Sequence, residues 1–364
     1  MQGGAGGGTG NTAVGMDAAY SITSADYVTA VGNNAVNANQ TNHYLTGIGY
    51  NSLRYVTSGN DACAVGANTL SSSSHTAASG NHAFGYHCFH GLTTGGDGNI
   101  AIGRQAGSSQ TTEDQSVYIG KSAGWATNAG QCVGVGRRAL QGVSTGAGNT
   151  ALGFQTMYGS VGSGANNTMV GAYCGQTFTG SNNFGLGYQA AYSGSPGGAP
   201  ASDNQGYLGD ENITHIHAQV DIHAHSDKRD KNDVEPLTLG LEFVNQLEPV
   251  TYRWDKRVKY IKKYMLDLPK DDPDFVDLDD VVHDGTHTEP QLHAGLLAQD
   301  VEEIEQSYGF NKEDLTALVT DLSGDGKAYS LNYSRFVPML IKSVQELSTQ
   351  VESLKEEIEE LKND

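Results

Sequence analysis

Ser226 and Lys231 lie five residues apart in the run Ser226-Asp227-Lys228-Arg229-Asp230-Lys231. A hydroxyl with an amine in reach is a minimal set for attack on a carbonyl. Serine needs a base to take its proton, and a lysine serves as that base where its surroundings keep the amine neutral. The same spacing also describes an ordinary polar turn, so the pair gains meaning only from its context. A second group of chemistry-bearing residues lies just upstream. His215-Ile216-His217 and His223-Ala224-His225 set imidazoles two residues apart, which on a strand places both rings on one face. In a three-fold assembly such pairs would surround an axial ion octahedrally; otherwise they are polar strand residues beside a processing site.

The hexapeptide stands at a compositional boundary. Residues 1–210 hold 42 of the 48 glycines, 5 Lys and Arg, and 8 Asp and Glu; the remainder holds 16 basic and 33 acidic side chains. Two halves this different do not share one core. A net charge of -20 argues against binding to a phosphate backbone, so nucleic acid is not an expected partner. No run of about 18 apolar residues is present to cross a bilayer, and Met1-Gln2-Gly3-Gly4-Ala5-Gly6 lacks the charged and apolar stretches of a signal peptide. The expectation is a chain made and assembled in the cytoplasm. Cys63, Cys88, Cys132 and Cys174 have no paired metal spacing and read as small buried residues rather than a disulfide framework or zinc site.

The Gly-rich half is a repeat. A short apolar core ending in glycine recurs, as in Ala13-Val14-Gly15, Ala30-Val31-Gly32, Ala64-Val65-Gly66, Ala101-Ile102-Gly103 and Ala151-Leu152-Gly153, with 16 to 19 residues between successive glycines. Self-similarity at such a period is the mark of a solenoid. Each unit has only a short strand's worth of inward apolar residues and buries them by stacking on the next unit and on neighbouring chains. Gly134-x-Gly136-x-x-Ala139 and Gly185-x-Gly187-x-x-Ala190 imitate a dinucleotide fingerprint, but that requires a βαβ unit, and the repeat accounts for these glycines without a cofactor. Ser193-Gly194-Ser195-Pro196-Gly197-Gly198-Ala199-Pro200 breaks the pattern as a turn or linker, and a short β region, Gly206 to His225, follows.

Past the hexapeptide, Asp271, Asp272, Asp274, Asp277, Asp279, Asp280 and Asp284 form an acidic run that reads as a solvated loop in an insertion. Asp321-Leu322-Ser323-Gly324-Asp325-Gly326 opens like a calcium loop, but its twelfth position is Asn332 where a bidentate Glu is needed, so a hairpin turn into the Tyr329 to Tyr333 strand is expected. Val337, Leu340, Val344, Leu347, Val351, Leu354, Ile358 and Leu361 alternate by three and four, the a/d seam of a coiled coil over 337–364. A β-branched a position with Leu at d leans toward dimers in isolated coils.

Four blocks in order carry a resemblance. They are Ser226 to Lys231 with its continuation Asn232-Asp233-Val234-Glu235-Pro236-Leu237; Leu247-Glu248-Pro249-Val250-Thr251-Tyr252-Arg253-Trp254; Ala294 to Glu302; and Leu331-Asn332-Tyr333-Ser334-Arg335-Phe336-Val337-Pro338 through Leu347. From Ser226 to Asp364 the chain resembles the C-terminal intramolecular chaperone of phage endosialidases and tail fibres, a self-cleaving peptidase domain of trimeric viral fibres. The repeats, clearest in Asn11-Thr12-Ala13-Val14-Gly15 and Asn149-Thr150-Ala151-Leu152-Gly153, resemble the left-handed parallel β-roll of trimeric bacterial adhesin heads.

These resemblances imply a mainly β homotrimer. Residues 1–195 would form a Gly-rich parallel β-roll or solenoid, 196–225 a linker and short β region, and 226–364 a smaller α+β chaperone ending in a coiled-coil helix. Val344, Leu347, Val351, Leu354, Ile358 and Leu361 would trimerise it. Ser226 would be the nucleophile and Lys231 the general base of a single-turnover Ser-Lys autoprotease, acting in cis or within the trimer, with no external substrate evident. The bond lies at His225, Ser226 or Asp227: attack by Ser226 on the His225 carbonyl closes a five-membered ring, whereas a cut between Ser226 and Asp227 calls for a water or a hydroxyl from another chain. The implied protein is a virion tail fibre assembled in the host cytoplasm. Its partners would be its own copies, other tail proteins, and a glycan or protein receptor on the host surface. No cofactor is expected beyond an axial metal on His215, His217, His223 and His225. The rival readings are a polysaccharide-degrading tailspike, for which no carboxylate pair is evident before residue 211, and a cellular trimeric adhesin, which calls for a secretion signal and anchor.

Overall fold

The computed structural model describes residues 8–363 apart from 40, 58, 73–78, 94–95, 113, 160–161, 177, 193–202, 221, 223, 263–264, 266–267, 269–270, 313–315 and 323–327. The chain divides into two compact units, Met1–Asn212 and Ile213–Asp364.

In the first unit twelve strands of three residues each, β1 (Thr12–Val14) to β12 (Gly206–Leu208), lie side by side in chain order and pair in parallel. Parallel neighbours adjacent in sequence force the chain to travel back after every strand, so the unit is a β-solenoid with one strand per turn. Corner glycines make the return possible. Gly120, after β7 (Val117–Ile119), has φ +130°, and a Cβ there would stand 2.6 Å from the carbonyl oxygen of Gly136 on the next rung. Only glycine accepts both that dihedral and that approach. The dinucleotide look-alike resolves the same way: Gly134 lies within β8 (Val133–Val135) and Gly136 is its corner.

A three-residue strand can turn only one side inward, and this side is the middle position. Ala30, Ala64, Ala83, Ala101, Tyr118, Ala151 and Met169 are fully buried, whereas the larger residue before each glycine faces out, with Val14, Ile48, Phe84, Ile102, Leu152, Leu186 and Leu208 37–58% exposed. The apolar residues that make the repeat visible in the sequence are therefore divided: the small ones fill the coil and the large ones form an outer row. Where Tyr118 takes the middle position, glycine makes room, since a Cβ on Gly124 would lie 2.3 Å from its ring.

Polar ladders join the rungs beside the sheet. Val28 N–H donates to Asn11 Oδ1 at 2.9 Å, Asn99 to Asn81 and Ser116 to Asn99 at 2.8 Å, and Asn167 to Asn149 and Asn183 to Asn167 at 2.9 Å. Asn81, Asn99, Asn149 and Asn167 are fully buried, so each amide satisfies a neighbouring backbone group that has no water to turn to. Strand β12 follows β11 (Phe184–Leu186) in the sheet and continues the solenoid beyond residue 195. The segment Ser193 to Pro200 lies outside the described residues. Cys88, Cys132 and Cys174 are buried, Cys63 is half-buried, and all four thiols are free; burial pushes the Cys88 thiol up to about 11 and Cys174 to about 12.

The second unit contains α1 (Leu241–Gln246), α2 (Ala298–Ser307) and α3 (Phe336–Asn363), with two antiparallel pairs, β13 (Val250–Tyr252) with β14 (His293–Gly295) and β15 (Thr320–Leu322) with β16 (Tyr329–Leu331). Leu239, Phe243, Val301, Val319, Phe336 and Met339 form its core. Helix α3 contributes only its first turns to that core. From Val344 onward Val344, Leu347, Val351, Leu354, Ile358 and Leu361 are 44–77% exposed.

Gly120→Ala is expected to destabilise the solenoid by about 1–3 kcal/mol through the forced dihedral alone, read as a lower denaturant midpoint in a circular-dichroism titration; an unchanged midpoint would contradict the corner geometry.

Candidate active site

A single 3-10 turn, Lys228–Asp230, brings Ser226 and Lys231 together. Asp227 opens it: its Oδ1 accepts the Arg229 N–H at 2.9 Å, and the Arg229 guanidinium donates to Oδ2 at 2.6 Å. Lys231 closes it by donating its N–H to the Lys228 carbonyl. Reversal over this span lets Lys231 Nζ donate to Ser226 Oγ at 2.6 Å and puts His225 Nε2 2.8 Å from Asp230 Oδ2. Two pairs, each five residues apart, thus lace the turn on either side of the His225–Ser226 bond.

The Asp227 carboxyl is held below its ordinary value, first by the Arg229 side-chain hydrogen bond and then by the Arg229 backbone N–H. A carboxyl depressed on folding stabilises the turn above its unfolded value near pH 4. That contribution is lost only as the pH falls through the depressed value. Ser226 and Lys231 are exposed within the single chain.

His215 and His217 do come together, their rings stacked with centroids 5.7 Å apart, although residues 213–218 are not a strand and the β region expected over Gly206 to His225 is limited to β12. His225 faces Asp230, and His223 lies outside the described residues. Among the described residues no three His, Cys, Asp or Glu side chains form a metal-binding group.

Residues 226–313 match the Peptidase_S74 family model, chaperone of endosialidase. The match begins on the serine of the Ser226–Lys231 pair, and this stretch of the second unit is similar to that family. A search of the curated proteins returned no match.

The second unit assembles the sequence blocks around one core. β13, from the Leu247 block, pairs with β14 at the Ala294 block, Val250 opposite Gly295, and Phe336 of the last block packs with Val301 and Phe243. Between them the insertion holds itself by a small cluster of Val258 and Leu278 and an Arg257–Asp279 ion pair at 2.5 Å. Its acidic run makes turns: Asp272, Asp277 and Asp284 accept the N–H groups of Asp274, Asp279 and Thr286. β15 and β16 are the expected hairpin, with residues 323–327 outside the described residues.

Two connections escaped the motif reading. Glu305, fully buried on α2, accepts the N–H groups of Leu318, Val319 and Thr320 at 2.8–3.2 Å and the Thr320 hydroxyl, tying α2 to β15. Glu346 on α3 accepts the Leu241 N–H at 2.7 Å, capping α1. An acidic residue on an amphipathic helix gives no sign in sequence of which backbone it will meet. In the solenoid, Asp26, Asp97, Asp114 and Asp203 likewise accept backbone N–H groups of Thr9, Ser79, Asp97 and Ser181 at 2.6–2.7 Å. Those carboxylates serve the inter-rung ladder.

Glu305→Ala leaves the Val319 and Thr320 donors buried and unmatched, and is expected to cost about 3 kcal/mol or more. Denaturant unfolding followed by Trp254 fluorescence measures it; a loss below about 1 kcal/mol would show that water replaces the carboxylate.

Proposed function

We propose that the chain is a homotrimeric viral tail fibre or spike protein whose C-terminal chaperone domain nucleates assembly and then releases itself by cleavage beside Ser226. The observation that carries this reading is the start of the chaperone-family match on Ser226, the residue held by Lys231 across the turn. Two rows of unburied apolar side chains support the oligomer. One is the outer row of the solenoid from Val14 to Leu208; the other is the α3 seam from Val344 to Leu361. Packing copies side by side buries both rows, and the fibre context is taken to override the dimer leaning of a β-branched a position.

The physical need for a chaperone follows from register. Every rung can pair with copies of itself, and three Gly-rich chains lose much conformational freedom on ordering. A trimerised C-terminal domain holds the chains at high effective concentration and in one register. Cleavage then removes the nucleus and leaves the fibre kinetically trapped.

In the cleavage step Lys231, as the free amine, takes the Ser226 Oγ proton while Oγ attacks the His225 carbonyl carbon. The C–N bond to Ser226 breaks, the proton passes to the departing nitrogen, and water then hydrolyses the ester to the His225 carboxylate and the Ser226 hydroxyl. A cut on the other side of Ser226 uses a water or a neighbouring chain's hydroxyl. A lysine loses its proton readily only when desolvated. Lys231 is exposed in the single chain, so neighbouring chains would supply that desolvation and cleavage would wait for the trimer. Host recognition falls to the solenoid, with a glycan or protein receptor as its partner, and the virion tail as its location. The His215 and His217 pair is proposed to hold an axial ion in the trimer.

Light scattering of the intact chain should give a trimer mass; a monomer or dimer removes the reading. Wild type should yield fragments meeting beside Ser226 by mass spectrometry, and Ser226→Ala and Lys231→Ala should yield none while remaining trimeric. Asp227→Ala should slow cleavage about 10–100-fold by loosening the turn, with Asp227→Asn, a good cap, restoring most of it. Leu347→Asp with Leu354→Asp should give misassembled repeats, and normal soluble trimer from that double variant would show the helix to be dispensable.

A further inference from the structure

Four of the five Lys and Arg residues that precede residue 211 gather on three consecutive rungs. Arg104, Lys121 and Arg137 each follow the corner glycine after β6 (Ile100–Ile102), β7 and β8, and Arg138 adjoins them. They stack in register, since Ser122 N–H donates to the Arg104 carbonyl and Arg138 N–H to that of Lys121, both at 2.9 Å. Cations on adjacent rungs of a parallel sheet are roughly 5 Å apart, and they repel one another. Among the described residues the Lys and Arg ion pairs all involve other residues, so no carboxylate relieves this repulsion. The guanidiniums instead lie over rings: Arg104 over Tyr86 at 5.9 Å, Arg137 over Phe154 and Arg138 over Tyr158 at 5.5 Å. Stacking of this kind fixes the plane of a guanidinium and leaves its N–H edges open to an oxyanion.

Arg104, Lys121 and Arg138 line an open cleft of about 270 Å³ together with Trp125 and Gln141. Trp125 is 39% exposed and offers an apolar ring face. The cleft therefore asks for two things in one molecule: a negative group for the cations and a flat carbon face for Trp125.

We propose that this cleft binds an anionic saccharide unit, its carboxylate or phosphate held by Arg104, Lys121 and Arg138 and its ring lying on Trp125. The site gives the receptor-binding part of the proposed function a place and a ligand class, and it rests on that reading only for its biological role. The volume suits a single sugar unit rather than a long chain in a groove. In a trimer the three copies act together, so a repeating polymer binds more tightly than its unit.

The test uses the intact chain and three probes by calorimetry at low salt: tetragalacturonic acid, a phosphorylated oligomannose, and neutral maltotetraose. Binding of either anionic probe at least about tenfold tighter than maltotetraose is expected, and which anion binds identifies its source as carboxylate or phosphate. Arg104→Gln with Lys121→Gln, both exposed positions, should weaken it about tenfold or more, and Trp125→Ala, also at an exposed position, should weaken it without lowering the denaturation midpoint. Arg54→Gln, the remaining cation of the unit, should change nothing. Absence of anion binding, equal binding of maltotetraose, or full affinity in the Arg104/Lys121 variant overturns the proposal. Light scattering and fragment masses on the same samples report assembly and cleavage separately, so a failed cleft and a failed fibre reading give different results.

Discussion

No rung of the solenoid can satisfy its own backbone. Gly120 N–H reaches Ile102 O at 2.7 Å and Gly136 N–H reaches Ile119 O at 2.8 Å, and the same reach from one turn to the next runs along the whole sheet. A lone turn would expose its amides and bury almost nothing, so the first few turns are unfavourable and each later one gains by joining. This dependence on a neighbour explains why glycine must occupy the corners and why asparagine amides are buried beside the strands.

The charged half supplies what the uncharged half lacks. Many of the solenoid side chains that meet across rungs are alanines, amides and small hydroxyls, which recur from turn to turn. The second unit has a distinct core around Phe243 and Phe336, and buried Glu305 bonds to three successive amides. These contacts have one solution each. Specificity is concentrated in one unit and repetition in the other.

The period of the corner glycines was legible in the sequence because a φ near +130° beside another backbone admits one residue type, and Ser226 with Lys231 was legible because a recognisable block follows it. The direction of the apolar residues was not. In a strand of three residues, alternation gives one inward position, and Ala13 before Val14 does not say which of the two goes in. Asp227 and the His225–Asp230 pair were hidden for a related reason: their partners are set by a turn whose existence depends on those same side chains. The cationic rungs were also unreadable as a group, since Arg104, Lys121 and Arg138 become neighbours only once turns of 16 and 17 residues are stacked.

Turn lengths vary from 16 to 22 residues between corner glycines, yet the strands remain in unbroken register from Thr12 to Leu208. Circumference and height are therefore independent quantities. Height grows in fixed steps of about 4.8 Å per turn, the spacing of paired strands. Duplication or loss of a whole turn therefore lengthens or shortens the rod by one step and leaves the remaining joints intact. The solenoid is in this sense a ruler, whose reach can be altered by counting turns rather than by redesigning any surface.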